Sequence, residues 1–481
     1  MKSSKTLIKT ERKMIMKKKL SIFLAAVMAV LATSGCGGKD NVQTSDEGKT
    51  VIVVANWPSE DDAKNFEKRE AQRKAFEEQN PDIKIETSTY TYATDTFLPK
   101  AMAGQLPTLY QTYYTEIDKI IDSGYAADIT DMMTELDMAD ALYPNVYDVV
   151  EKGGKLYGIP IQLYVQGLIC NVSIFKEAGL VDADGVPIFP QNYDELIETA
   201  KTIKEKTGAA GFGIPTTANG GGWHFMNMAW SNGVEFMAKE NDKWVAKFDT
   251  QNCYDTLQYI KDLKWKYNVL PTNTFMAMTD LETQFATDQL AMYFRPADNA
   301  AALVDTYGMS KDNIAQSRVP EGSAGRIALM GGTVYMVANN ATEEQKEACG
   351  RWLDFIGTSP RVVEGSEERQ EESLSLQAEK GYIVGLDSMP VWSTPERIEL
   401  NKRLCEKYCN VDKKMFADYE MYDTITIKPE EPQKCQELYS LLDSCIQAVL
   451  SDENADPAQL IHQAAADFQT NYLDKIADGE L

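Results

Sequence analysis

The residues in this chain best suited to hold a small molecule are aromatic rings set near turns. Trp57 lies in Asn56-Trp57-Pro58-Ser59-Glu60, and Tyr113 and Tyr114 follow a short apolar run. Tyr164 sits with Gln166 in a mid-chain apolar stretch, Trp223 and His224 follow Gly220-Gly221-Gly222, and Trp392 follows Met389-Pro390. A ring face packs against the apolar C–H face of a pyranose, while neighbouring carboxylates, amides and Arg take the hydroxyls. Glu60, Gln166, His224, Arg295 and Asp298 would supply those polar groups. Trp230, Trp244, Trp265 and Trp352 read as core residues.

Sets for covalent or metal chemistry are missing. The two histidines, His224 and His462, fall in no H-E-x-x-H, and neither G-x-S-x-G nor G-x-x-x-x-G-K-[ST] occurs. His224, without a partner histidine nearby, reads as a hydrogen-bonding wall residue rather than a metal ligand. Glycoside hydrolysis needs only two carboxylates a few ångströms apart, and 73 Asp and Glu leave such a pair open. Asp182-x-Asp184-Gly185 holds a fragment of a calcium loop without the remaining ligands and reads as a turn. Cys405, Cys409, Cys435 and Cys445 allow one late bridge or a thiolate site, against which mostly unpaired, half-buried thiols are the favoured reading. No cofactor and no metal are expected.

The elements that must position these residues follow an α/β grammar. Val51–Ala55 is a β-branched run expected of a strand buried on both faces, and Phe66, Ala75 and Phe76 mark a helix that Asn80-Pro81 stops. Ile83 to Glu86 alternates as the next strand, completing a βαβ unit with a parallel sheet. Leu109–Tyr113 is a strand, and Asn192-x-x-Glu195 resembles a capping box opening a helix that Thr207-Gly208 ends. Phe212-Gly213-Ile214 reads as a strand delivering a glycine loop, Asn219 to His224. Gln289 to Phe294 and Gly332 to Ala338 are further strands, the chain is mainly helical from Ala348, and Glu364 to Glu372 reads as a solvated insertion. In open α/β sheets ligands bind outside the carboxyl ends of the strands, so rings in those loops converge on one crevice.

The first residues read as an address. Lys17, Lys18 and Lys19 precede a dozen mostly apolar residues from Leu20 to Leu31, too short to span a bilayer of about 30 Å, then small residues and Cys36. Leu31 to Cys36 resembles a bacterial lipobox, with Cys36 as the lipidation site; an ordinary signal peptide with a free cysteine is the alternative. Residues 37–50 read as a polar tether. Without residues 1–36 the chain loses eight basic and one acidic residue, leaving 40 basic against 72 acidic, a net charge of −32. Such a chain repels phosphate backbones and anionic headgroups, which excludes nucleic acid and requires an anchor to keep it at a membrane.

The order of these features carries a resemblance. The lipobox, the strand with its Trp loop, Lys74 to Ile83, Leu106-Pro107-Thr108, Gly153 to Pro160 and Asn171 resemble the family 1 extracellular solute-binding proteins of ABC importers. Ala286 to Met292 and Gly331 to Tyr335 are similar to that family's second and third crossover strands. The resemblance implies a periplasmic-binding-protein-like α/β fold of two lobes, each a mainly parallel sheet flanked by helices. Crossovers are expected near 161–169, 290–296 and 333–338. The implied parts are a signal peptide at 1–35, a tether at 36–50, lobe 1 at 51–160 and 290–335, and lobe 2 at 161–289 and 336–481. It also implies a ligand site from Trp57, Glu60, Tyr113, Tyr114, Tyr164, Gln166, Trp223, His224, Arg295 and Asp298, and a carbohydrate ligand handed to permease subunits by a non-catalytic, lipid-anchored, extracellular monomer of a Gram-positive bacterium. Tyr113-Tyr114-Thr115-Glu116 departs from the Asp-Arg pair of the family's maltose binders, so maltose is not the expected ligand. A surface glycoside hydrolase and a receptor for a peptide or polyamine are the competing readings.

Overall fold

Consecutive β-branched residues disfavour helix and pack well in a pleated surface, and the chain accordingly opens with β1 (Thr50–Val54). A computed structural model describes residues 48–94, 96–386, 390–421 and 424–477. The expected leader, Cys36, most of the expected tether and Met389 lie outside the described residues. After α1 (Ala63–Gln79), β2 (Ile83–Thr87) pairs parallel with β1, Ile52 opposite Ile85, and β3 (Leu109–Tyr113) flanks β1 on its other side, also parallel.

Four further strands and a late one complete the main sheet: β4 (Ile159–Asn171), β5 (Met292–Pro296), β6 (Ile314–Arg318), β7 (Ile327–Val337) and β8 (Thr426–Pro429). The order is β6-β4-β7-β3-β1-β2, with β5 also on β4 and β8 also on β7. The two long strands belong to both lobes. In β4, Ile159 and Leu163 pack in the first core with β1 to β3, whereas Val165, Leu168 and Cys170 pack in the second. In β7 the change falls between Leu329, in the second core, and Met330, in the first.

This packing differs from the expected division. Met292 and Phe294 of β5 and Ala315 of β6 join the second core, while Leu290, Tyr293, Leu303 and Ile314 pack with Ile169 of β4 in a smaller third cluster, so none of 290–329 packs in the first core. Val337, Ala348, Trp352 and Trp392, expected in lobe 2, pack in the first core. The strand pattern identifies β5 correctly, but its mostly apolar residues carry no mark of which core they fill.

Helix ends follow the local chemistry. At the start of α2 (Tyr193–Thr207), Asn192 Oδ1 accepts from Glu195 N at 2.9 Å and Glu195 Oε2 accepts from Gln191 N at 2.8 Å; Gly208 ends the helix at φ +78°. Phe212 to Ile214 forms only an isolated bridge to Tyr293 through Gly213. The expected glycine loop is instead the first turn of α3 (Gly220–Ser231). Its glycines serve packing: a Cβ on Gly222 would stand 2.4 Å from Tyr439 Cα on α7 (Cys435–Ser451). Between these helices in the chain come α4 (Glu343–Phe355), α5 (Ser366–Glu379) and α6 (Pro395–Tyr408). The acidic stretch expected as a solvated insertion lies largely in α5, where Glu367 and Glu371 pair with Arg403 and Lys407 of α6.

Candidate functional site

Where β4 and β7 pass between the lobes, Gly331 stands opposite Tyr164. A Cβ on Gly331 would be 2.5 Å from the Tyr164 ring, and one on Gly332 would be 2.6 Å from the Tyr114 ring. The glycine pair therefore makes room for two rings against the backbone. The half-buried Tyr164 ring meets Trp223 edge-on, centroids 6.2 Å apart. Trp223 is placed there by the first turn of α3, which Asp443 of α7 holds by accepting from Asn219 N and Gly222 N, both at 2.8 Å. From the first lobe, Tyr113 at the end of β3 stays 47% exposed and packs on Tyr92 at 5.9 Å.

Polar groups gather around these rings. Asp298, exposed, accepts from Gln162 Nε2 at 2.6 Å. Glu430 accepts from Tyr439 Oη at 2.8 Å and also interacts with the Trp223 indole. Burial, with the charge of Glu116 adding to it, pushes the Glu430 carboxyl up to about 7. Burial also pushes the Tyr164 phenol well above its usual value, with Glu430 and Asp298 adding to the shift. Beside this group a cavity of about 500 Å³ is lined by Gln162, Leu163 and Asp298, by Trp392, and by Arg369 and Arg397.

Of the expected residues, Tyr113, Tyr164, Trp223 and Asp298 are neighbours at the crossing, and Trp392 lines the adjoining cavity. The other expected residues stand elsewhere. Trp57 is 5% exposed and stacks on Trp352 in the first core, because its loop folds inward rather than toward the crossovers. Glu60 is exposed in that same loop. Tyr114, 7% exposed, is packed over Gly332. Gln166 is buried and accepts from the Asn227 amide. His224 is fully buried near Phe294, where burial and the charge of Arg295 push its pKa well below the usual imidazole value, and neither ring nitrogen has a protein partner, so it is not a cleft wall. Arg295 is committed to Glu282 at 2.7 Å, and Asn299 and Tyr307 complete the donors on that buried carboxylate.

Glu430, Gln162, Arg369 and Arg397 were not foreseen. Only Glu430 had a signal: Pro429-Glu430-Glu431-Pro432 is a stiff acidic turn placed directly before a helix. Asp182 Oδ1 accepts from Asp184 N and Val186 N, an ordinary Asx turn, and Cys170, Cys253, Cys349, Cys409, Cys435 and Cys445 are free thiols. Among the described residues no group of three or more His, Cys, Asp or Glu is arranged to hold a metal, and no helix is long and apolar enough to cross a membrane.

The chain is 25% identical over 251 residues to the diacetylchitobiose-binding protein DasA of Streptomyces coelicolor, covering 48% of this chain and about half, 52%, of that protein. It is 23% identical over 402 residues to the arabinooligosaccharide-binding protein of Bacillus subtilis, covering 80% of this chain and 84% of that one. The fold matches an ABC transporter solute-binding protein from Thermotoga lettingae TMO bound with alpha-D-tagatose, TM-score 0.65 at 18% identity, over 87% of this chain and 98% of that chain. Residues 59–360 match the model of the bacterial extracellular solute-binding proteins. With strands running through both cores and a ring-lined crossing between them, this chain belongs to that family, the bacterial extracellular solute-binding proteins.

Proposed function

We propose that this protein is an extracellular carbohydrate receptor, tethered through a lipidated Cys36, that captures an oligosaccharide and delivers it to an ABC importer. One observation carries the reading: Tyr113, Tyr164 and Trp223 come from three separate elements to one crossing point, with Asp298, Gln162 and Glu430 around them. Ring faces with carboxylate and amide neighbours are what pyranose recognition requires. The relatives named for diacetylchitobiose and arabinooligosaccharide support the same ligand class. The mechanism is binding: ligand contacts with both lobes favour the closed form by their differential affinity. Trp57, Glu60, Tyr114, Gln166, His224 and Arg295 then act behind or away from the contact surface.

A thermal-shift screen against mono- and oligosaccharides, peptides and polyamines tests the ligand class. A saccharide at 100 times its dissociation constant stabilises by about 2.7 kcal/mol. Stabilisation by a peptide or polyamine alone would overturn the reading, and steady release of reducing ends would favour the hydrolase. For the anchor, Cys36→Ser is expected to release folded protein into the medium; retention after a salt wash would refute lipidation.

A further inference from the structure

The cavity beside the rings is lined by charge of the opposite sign to that of the chain as a whole. In a chain with a formal net charge of −25, its lining holds three cations, Lys68, Arg369 and Arg397, against a single carboxylate, Asp298. Among the described residues, none of the three has an ion-pair partner. Arg397 is 6% exposed and its Nη2 donates only to carbonyls, those of Gly357, Ser359 and Arg361 at 3.2, 2.8 and 3.0 Å. Arg369 donates to Phe355 O at 3.3 Å and lies over the Phe355 ring at 5.1 Å. Lys68, exposed, reaches Ser373 Oγ at 3.4 Å.

A guanidinium buried without a directly bonded anion is costly unless something else compensates the charge, and Asp354, already ion-paired to Arg361, acts on Arg397 only from a distance. Its carbonyl partners satisfy one nitrogen, but Nε finds none, and neither does the Ser366 hydroxyl, 4% exposed on the same lining. A planar Nε–H donor and a hydroxyl donor next to two further cations match an oxyanion. The Gln370 Oε1 acceptor, also without a partner, suits a hydroxyl. Asp298 and Gln162 come from the crossover side of the cavity, whereas the cations come from helices α1, α5 and α6. A ligand lying across would place neutral hydroxyls at the former and its anion at the latter, with the buried Trp392 in the wall between.

We infer that the ligand is an acidic saccharide whose carboxylate or phosphate group is held by Arg369, Arg397, Lys68 and Ser366. This rests on the carbohydrate reading above and narrows its substrate class. Arg397 also ties down the turn 357–361, so Arg369→Gln and Lys68→Gln, at less buried positions, are the better variants.

The test is calorimetric titration of the full chain with neutral and uronate-bearing oligosaccharides of one backbone, with sugar phosphates, and with inorganic phosphate alone. The expected result is an acidic member bound at least about 10-fold tighter than its neutral counterpart, weakening with added salt. The uronate and phosphate arms tell the two oxyanions apart. The double variant Arg369→Gln, Lys68→Gln should reduce the acidic-to-neutral affinity ratio about 10-fold or more, with the melting temperature retained. Neutral saccharides bound equally well, or an unchanged ratio in the variant, would overturn the acidic-ligand inference and leave the carbohydrate reading intact. Inorganic phosphate binding as tightly as any acidic saccharide would overturn it in favour of a free-anion site. Absence of binding by every saccharide would overturn both.

Discussion

Trp223 and Trp352 show how position, not residue type, decides what a ring does. Trp352 is fully buried, between Trp57 and Phe355. Trp223 rests partly on the second core while its edge meets Tyr164 at the crossing. Packing one sugar face on it should bury on the order of 100 Å², worth about 2.5 kcal/mol at 25 cal/mol per Å². Trp223→Ala is therefore expected to weaken saccharide binding by roughly 70-fold by calorimetric titration. Its stability loss in a urea melt should be smaller than the roughly 3–5 kcal/mol of a fully buried ring such as Trp352. Unchanged affinity with a large loss of stability would assign Trp223 to the core.

At the scale of elements, the pairing of α3 with α7 sets where Trp223 points. Gly222 meets the backbone of Tyr439 so closely that an added Cβ would lie 2.4 to 2.8 Å from its Cα, O and C atoms. Backbone cannot turn aside as a flexible side chain can, so the helices must separate. Gly222→Ala should cost about 3 kcal/mol by chemical denaturation and weaken saccharide binding as Trp223 shifts. Gly220 is the internal control, since its added Cβ would stand 3.1 Å from the Pro215 ring, and Gly220→Ala should cost no more than about 1 kcal/mol. Equal effects of the two changes would mean that helix contact is not what the glycine serves.

For the whole molecule, the contact between lobes runs through the chain after β8. Gln433 donates to Asp118 at 3.2 Å and Gln436 to Thr115 at 3.2 Å, both in the first lobe, while Glu430 feels the charge of Glu116 from across the same junction. Burial raises Glu430 from an ordinary 4.5 to about 7. Between those values the folded protein holds a proton that the unfolded chain releases, so this group makes stability fall as pH rises through that window. Below about 4.5 both states are protonated and the contribution vanishes. Glu430→Gln should then raise the melting temperature by about 2 °C above pH 7 and leave it unchanged near pH 4. An equal shift at both pH values would show that the carboxyl does not titrate in this range.

Periodicity, caps and order were legible in the residues themselves, because each depends on neighbours a few positions away. The β-branched run of β1, the stop at Asn80-Pro81, the Asn192 cap and the parallel βαβ unit all appear as the sequence suggested. Tyr113 ends β3 and Tyr164 lies within β4, whereas Trp223, expected in a glycine loop, sits in the first turn of α3. What tertiary structure alone decided is which core each apolar strand fills and which partners meet at the crossing. Trp57 stands in as polar a loop as any binding residue, yet stacking on Trp352, far away in sequence, takes it inside. Asp443 and Tyr439 turn a glycine-rich stretch into a helix start, and α5 and α6 bring Arg369 and Arg397 to a cavity that no spacing in the chain records. Such contacts join residues separated by long stretches of chain, and only the closed packing of both cores fixes their distances.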